Sequence, residues 1–234
     1  MRIFRGLLSS SLLLLALLAF CASGAFAGSI NVSTGLNSSN NLITTAGSPD
    51  AHWTYTDGSS SGSAVILTPA GGCSNNSNNW YCNWLSNQSG SSWIGKTAGA
   101  FNGSDLYSFS TTFDLTGFNL STVALSGWFS ADDAASLFLN GHLIDSTAQC
   151  PGQPTCSSWN AMNFFSVPKG DFVQGLNTLT IDLTYNDDNW EGVQLSGMVT
   201  GSPTGSQTPE PGTLLLLGSG LLGLGFMARK FGCT

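Results

Sequence analysis

The sequence predicts an all-β fold, an antiparallel β-sandwich or jelly roll, flanked by an N-terminal signal helix and a C-terminal transmembrane helix. Three observations predict the β fold. Apolar and polar residues alternate with a period of two from Leu106 onwards. Turn-forming pairs such as Asn140-Gly141 separate the alternating runs. No window before the C-terminal tail keeps a helical period, and several short strands so spaced are typical of sandwiches and jelly rolls.

The N-terminus has the pattern of a secretory signal peptide over residues 1–27. Arg2 and Arg5 supply a positive start, residues 7–20 are apolar, and Ala25-Phe26-Ala27 offers the small-x-small pattern that precedes cleavage. An uncleaved membrane anchor is the alternative, although the apolar run is short for a span. We therefore expect export, with cleavage after Ala27.

The central domain is predicted over residues 28–200, followed by a linker over residues 201–208. Its first part is rich in Asn, Ser and Gly, with Trp53, Tyr55 and residues 65–67 as strand seeds. From Leu106 the alternation is regular, and the polar residues between the apolar positions should face solvent. The predicted inward-facing residues are Tyr107, Phe109, Phe113, Leu115, Val123, Leu125, Phe129, Leu179, Ile181, Leu183, Tyr185, Val193, Leu195 and Val199.

Three stretches resemble strands of galactose-binding-like jelly rolls. Residues 126–133 lead into residues 136–141, which end in Leu-Asn-Gly; residues 172–179 contain Gly-Leu-Asn-Thr-Leu; and residues 192–197 form a closing strand. The likeness covers roughly residues 90 to 200. It implies a jelly-roll fold and a structural calcium ion, for which the paired aspartates Asp132-Asp133 and Asp187-Asp188 are the candidate ligands. The alternative is that aspartates favour turns for their own hydrogen-bonding reasons.

The C-terminus joins a rigid motif, an apolar segment and a basic pair. Pro209-Glu210-Pro211 precedes the apolar residues 213–228, and Arg229-Lys230 follows them. As a helix those residues would rise ~24 Å, slightly less than the ~30 Å hydrocarbon core of a bilayer. Basic residues stay on the cytoplasmic side. We therefore predict a transmembrane helix over 213–228, a cytoplasmic tail over 231–234 and the central domain in the periplasm.

Those three elements in that order closely resemble the PEP-CTERM sorting signal of Gram-negative bacteria. The resemblance covers residues 209–230 and assigns the sorting motif to Pro209, Glu210, Pro211, Arg229 and Lys230. It implies that an exosortase-type enzyme recognises and processes the tail, that the protein is first anchored in the inner membrane, and that its destination is the cell surface or extracellular matrix. It also implies an association with exopolysaccharide and biofilm.

The net charge of the exported part of the chain limits the kinds of molecule that it can bind. Residues 28–208 contain twelve acidic and two basic side chains, a formal charge of −10. Such a surface repels phosphate backbones, so no nucleic acid is expected as a partner.

Four cysteines fall in the exported part of the chain: Cys73, Cys82, Cys150 and Cys156. An even number in an exported domain predicts two disulfides. Three pairings are open; we favour Cys73–Cys82 and Cys150–Cys156, because each pair encloses a loop-like stretch. Zinc binding is the alternative, although the spacings contain no CxxC and the compartment is oxidising.

The tryptophans are the strongest signal of binding in the sequence. Indole rings among amide and hydroxyl side chains are suited to stacking on sugar rings. The alternative is core or loop packing, since tryptophan is usually largely buried. The candidate glycan-binding residues are Trp80, Trp84, Trp93, Trp159 and Trp190.

No catalytic constellation is evident. His52 and His142 are the only histidines, and no Gly-x-Ser-x-Gly motif accompanies the many serines. We therefore predict a non-catalytic exported protein that binds carbohydrate or exopolysaccharide. A structural surface or matrix protein with no discrete ligand is the second hypothesis, and a glycan-degrading enzyme using paired carboxylates is the third.

Overall fold

A computed structural model describes residues 28–67, 84–99, 106–147, 158–185, 191–204 and 218–220. The chain divides into two compact units, one from Ala27 to Thr204 and one made of Met1–Phe26 with Gly205–Thr234. In the latter unit the described residues, 218–220, are helical. Within the described ranges no helix is long and apolar enough to cross a membrane. The predicted signal peptide, most of the predicted transmembrane helix, the four cysteines and the sorting residues lie outside the described residues.

The unit from Ala27 to Thr204 is all-β and antiparallel, as predicted. Short 3-10 turns lie at Leu120–Thr122, Ser158–Asn160 and Lys169–Asp171. Its strands are β1 (Gly28–Asn31), β2 (Pro49–Thr56), β3 (Ser61–Ile66), β4 (Ile94–Gly95), β5 (Ser108–Asp114), β6 (Ala124–Asp132), β7 (Ala134–Leu139), β8 (His142–Ser146), β9 (Asn163–Ser166), β10 (Leu176–Tyr185) and β11 (Gly192–Gly201).

The strands of the described part form one continuous sheet rather than two separate ones. Its order is β8-β7-β10-β5-β2-β3-β4-β11-β6-β9, and β1 pairs with β11 outside that path. The short β4 joins the two halves by pairing with both β3 and β11. At the other side β8 and β9, the two ends of the order, approach each other. The sheet is therefore nearly closed around a common core.

Strand β11 pairs with three other strands, β1, β4 and β6. One edge of β11 pairs with β6 along almost its whole length. The other edge is shared, because β1 pairs with its last residues and β4 pairs at Val193. Between these two strands the chain continues alongside β11, where the N–H groups of Val32 and Thr34 donate to the carbonyl oxygens of Gly197 and Leu195.

The period-two alternation is confirmed by the core. Each predicted inward position whose side chain is described is buried, and the polar residues at the alternate positions of β5 are half-buried or exposed, whereas Gln194 between Val193 and Leu195 is fully buried. Burying one such side chain is worth about 1.5–3 kcal/mol. The largest fully buried members are Trp53, Trp93, Tyr107, Phe109, Phe129 and Phe165.

Two asparagines fix the turns between β7, β8 and β10. Asn140 has a φ of 52° and precedes Gly141 in the hairpin turn predicted from the sequence. Its side chain donates to Asn177 Oδ1 at 2.9 Å and accepts from the N–H of Thr178. Asn177 is fully buried and donates to the carbonyl oxygens of Val173 and Gly175, each at 2.8 Å. Its amide is thus satisfied entirely by protein groups.

Two aspartates are committed to the structure of the N-terminal strands. Asp50 accepts hydrogen bonds from the N–H groups of Gly35, His52 and Trp53, but burial outweighs them and raises its pKa. Asp57, in the turn between β2 and β3, accepts from Lys96 Nζ at 2.8 Å. That bond, together with those from neighbouring serines, lowers the pKa of Asp57 well below its usual range.

The end of β11 is fastened to the turn before β6. Gly201 is the last residue of the strand, Pro203 bridges to Phe118, and Thr204 donates from N–H to the Gly117 oxygen at 2.6 Å. The described structure of this unit therefore continues to Thr204.

Candidate functional site

The candidate site lies on the outer face of the sheet where β9, β6, β11 and β1 run side by side. Trp128 of β6 is paired with Phe164 of β9 on one side and with Ser196 of β11 on the other. Cross-strand partners point to the same face of a sheet, so these three side chains stand together. Their neighbours Phe129 and Phe165 point inwards and are buried.

The aromatic pair is unusual because both rings are large and exposed. Trp128 is 49% and Phe164 55% exposed. Their ring centroids are 5.2 Å apart and the ring planes are inclined at 67°, an edge-to-face arrangement. Met198, 41% exposed, pairs with Ser126 on the same strands. The strands thus hold a preformed apolar platform in water.

A shallow groove of about 390 Å³ runs beside this pair. Its lining comes from four strands, the segment that follows β1 and one turn, and consists of hydroxyl, amide, thioether, aromatic and main-chain groups. The lining residues are Asn31, Ser33, Ser89, Gly90, Ser126, Gly127, Trp128, Phe164, Ser196, Gly197 and Met198. Among the described residues that line it, no side chain is charged.

The groove floor is supported from inside by two opposed glycines. Gly127 and Gly197 are register partners on β6 and β11. A Cβ atom at Gly127 would lie 2.2 Å from the Ser196 oxygen and 3.0 Å from the Phe165 ring. Glycine therefore allows the buried Phe165 to pack directly against the main chain beneath the platform.

The turn at Ser89 and Gly90 forms the rim. Gly90 has a φ of +86°, a conformation that favours glycine. The residues that follow are anchored, because Gln194 Nε2 donates to the Ser91 oxygen at 3.1 Å and Ser92 N–H donates to the Thr34 oxygen at 3.0 Å. At the other end, Asn31 Oδ1 accepts from Ser33 N–H, which orients the Asn31 amide. The rim is therefore held in place without a ligand.

Of the tryptophans predicted to bind glycans, Trp84 and Trp93 belong to a small second core. They are 6% and 1% exposed, their rings lie 4.5 Å apart, and both pack with Leu67. Trp93 Nε1 donates to the Leu85 oxygen at 2.7 Å. Trp159 packs half-buried against the same cluster. These contacts correspond to the packing alternative for the three residues.

Glycine again makes room for this second core. At Gly192 a Cβ atom would lie 2.6 Å from a methyl carbon of Leu67 and 2.9 Å from the ring of Trp84. The second core therefore packs against the first residue of β11, and the groove lies beside Ser196, Gly197 and Met198 of the same strand. The other two predicted residues, Trp80 and Trp190, lie outside the described ranges.

Sequence reasoning did not select Trp128 and Phe164, although a signal for each was present. Trp128 has the opposite parity to Leu125 and Phe129 in an alternating strand, so an outward-facing indole follows from the period-two pattern. Phe164 likewise alternates with the buried Phe165. An aromatic ring at an outward position is the feature that distinguishes the platform from the core.

The structure describes two of the four predicted calcium ligands. Asp132 and Asp133 lie at the end of β6, joined by a cis peptide bond, and are 8% and 7% exposed. Asp187 and Asp188 lie outside the described residues. Among the residues that are described, no group of three or more acidic, histidine or cysteine side chains could hold a metal ion. Because two of the four aspartates lie outside that search, the calcium site stays a prediction from the sequence.

Comparison with known proteins identifies the C-terminal motif. Residues 207–230 match the family model of the PEP-CTERM protein-sorting motif, which confirms the prediction made from the Pro-Glu-Pro motif, the apolar segment and the basic pair. No curated protein matches the chain.

Three solved structures of carbohydrate-binding modules resemble the chain weakly. The CBM36-1 domain of a multidomain xylanase from the hindgut metagenome of Trinervitermes trinervoides is 10% identical over 44% of this chain and 74% of that one, with a TM-score of 0.27. CBM35 from Paenibacillus barcinonensis is 14% identical over 75% and 98%, at 0.32. A carbohydrate binding module of family 29 is 14% identical over 64% and 88%, at 0.25. We draw nothing about the ligands of this chain from likenesses at this level.

Proposed function

We propose that this chain, which carries a PEP-CTERM sorting motif, is an exported, non-catalytic protein that binds carbohydrate through the groove beside Trp128 and Phe164. The observation that carries the proposal is the exposed pair of Trp128 and Phe164 beside hydroxyl and amide groups on one sheet face. Large exposed aromatic rings next to convergent polar groups are the mark of a ligand site rather than of ordinary surface.

The chemistry of the lining suits a sugar chain. The faces of a pyranose ring carry C–H groups, which pack against the faces of indole and phenyl rings. The hydroxyls around the ring need hydrogen-bond partners, and serine, asparagine and main-chain groups both donate and accept. The groove supplies both kinds of contact side by side, since Ser126 and Ser196 flank Trp128 along and across the strands.

Location and partners follow from the sorting motif. We infer that the signal peptide directs export, that residues 213–228 hold the protein in the inner membrane with the domain in the periplasm, and that an exosortase-type enzyme processes the tail. The destination would be the cell surface or extracellular matrix, and the carbohydrate bound there would be exopolysaccharide. We also place the fold with the galactose-binding-like jelly rolls, in line with the motifs in residues 126–141 and 172–197.

Binding by the full chain to immobilised polysaccharides, in mild detergent, tests the proposal. Trp128→Ala and Phe164→Ala should each weaken binding by about tenfold, a free-energy difference of about 1.4 kcal/mol. Leu143→Ala, which truncates a 60% exposed side chain on β8, is the matched control and should bind like the parent. Equal binding by all four proteins would refute the site. Release of reducing sugar from any polymer, abolished by one carboxylate substitution, would instead indicate an enzyme.

A further inference from the structure

Resting on the proposed function, we propose that the groove selects uncharged glycan chains and discriminates against chains that carry carboxylates. The groove offers a saccharide polar and aromatic contacts but, among its described lining residues, no cation. A carboxylate that leaves water needs a charged or strongly donating partner, and without one its desolvation is not compensated.

The basic side chains of the domain are engaged elsewhere. Residues 28–208 contain two, Lys96 and Lys169. Lys96 Nζ lies 2.8 Å from the Asp57 carboxylate and 5.6 Å from the centroid of the Tyr107 ring. Lys169 Nζ donates to the Ser121 oxygen at 3.1 Å. Neither lysine lines the groove, so the residues described there provide no counter-ion for a uronate.

The field of the whole domain acts in the same direction. Twelve acidic side chains against two basic ones leave residues 28–208 with a formal charge of −10. A polymer with a carboxylate on many of its units is repelled before it reaches the groove, and the repulsion extends over ~30 Å at 0.01 M salt but only ~3 Å at 1 M. An uncharged chain approaches without this penalty. Local chemistry and long-range charge therefore favour the same class of ligand.

The groove crosses several neighbouring strands. From β9 to β1 it spans three interstrand spacings, roughly 14 Å. A charged group bound anywhere along this length would lack a cation among the described lining residues.

The test uses one polymer in matched charge states, with the full chain in mild detergent. Galactomannan, hydroxyethylcellulose and mixed-linkage β-glucan are each oxidised at primary hydroxyls to graded carboxylate content, and part of each product is methyl-esterified to remove the charge. Affinity for the polymer that binds should fall tenfold or more on oxidation at 0.01 M salt. It should recover on esterification and recover in part at 1 M salt.

A charge inserted into the groove sharpens the test. Ser126→Lys places a cation beside Trp128, and should raise affinity for the oxidised polymer at least threefold at 0.01 M salt. Leu143→Lys adds the same charge on β8 and is the matched control. Equal recovery by both variants would mean that net charge alone selects the ligand, which would overturn the role of the groove.

The outcomes separate this inference from the function on which it rests. Undiminished or stronger binding of the oxidised polymer, lost in Trp128→Ala, overturns the selectivity and leaves carbohydrate binding intact. Absence of binding to every form, or binding that Trp128→Ala does not change, overturns the proposed function and with it this inference.

Discussion

Replacing Trp93 by alanine should destabilise the domain severely while leaving the groove in place. Trp93 is 1% exposed, and its ring packs on Trp84 at a centroid distance of 4.5 Å. Truncating a buried tryptophan to alanine costs about 3–5 kcal/mol. The Leu85 oxygen also loses the 2.7 Å hydrogen bond from Nε1, worth about 1 kcal/mol.

The expected change in thermal stability follows from these values. Taking about 5 kcal/mol in all, and about 2–4 °C per kcal/mol for a domain of this size, the unfolding midpoint should fall by about 10–20 °C. Trp128 is half exposed, so Trp128→Ala removes the same atoms from a site that water already reaches. Trp128→Ala should lower the free energy of unfolding by about 1 kcal/mol and the unfolding midpoint by about 2–4 °C. The two substitutions thus differ in burial rather than in chemistry.

Thermal unfolding of the full chain, followed by near-ultraviolet circular dichroism in mild detergent, measures both midpoints. Polysaccharide binding is measured on the same samples at 10 °C, where both variants should be folded. Trp93→Ala should bind like the parent, and Trp128→Ala should bind about tenfold more weakly. A fall of less than 3 °C for Trp93→Ala, or equal falls for the two variants, would refute the assignment of Trp93 to a packed cluster.

Three further substitutions test other parts of the structure. Asn177→Ala should cost about 2–4 kcal/mol in urea unfolding, because it removes a fully buried amide that accepts from the Val173 N–H and donates to the Val173 and Gly175 oxygens; a loss under 0.5 kcal/mol would contradict this network. Asp57→Asn should destabilise the domain more at pH 6 than at pH 2. The pKa of Asp57 is lowered well below its usual range in the folded state, so its contribution is complete above pH ~4 and declines progressively as pH falls from there towards the folded-state pKa. Asp145→Asn is the control. If Asp57→Asn destabilises the domain by the same amount at pH 6 and at pH 2, the linkage between pH and the Asp57 contribution is refuted. Gly127→Ala should lower both stability and polysaccharide binding, because its Cβ would meet a main-chain oxygen of β11 at 2.2 Å. Gly99→Ala, with no atom within 4 Å of the new Cβ, should be silent, and equal effects of the two would contradict the close approach of β6 and β11.

The core could be predicted from the sequence because its signal is local. Phe109, Phe113 and Leu115 are separated by even intervals, and a strand with one buried face requires that spacing. The order of the strands has no comparable signal. β1 pairs with β11 and β4 bridges β3 to β11, and these partners lie far apart in the chain. Nothing within either segment specifies the other.

The candidate site shows the same division. An outward-facing Trp128 follows from strand parity alone, whereas the burial of Trp84 depends on Leu67 and Gly192, which arrive from distant segments. The stretch around Trp84 is rich in Asn, Ser and Gly, so local polarity gave no sign that a second apolar cluster would form over the end of β11. Local composition therefore misjudges a side chain whose packing partners are remote in sequence.

The pairing of Gly28 with Gly201 has a consequence for the timing of folding during export. In the export proposed above, the N-terminus leads, so β1 is the first strand to leave the translocation channel and β11 is the last. Until β11 emerges, β1, β4 and β6 all lack a neighbour, and their apolar faces and free edges are exposed. The domain therefore completes its sheet only once Thr204 is outside, with residues 207–230 next in line. Closure of the fold and arrival of the sorting motif at the membrane are thus nearly simultaneous events.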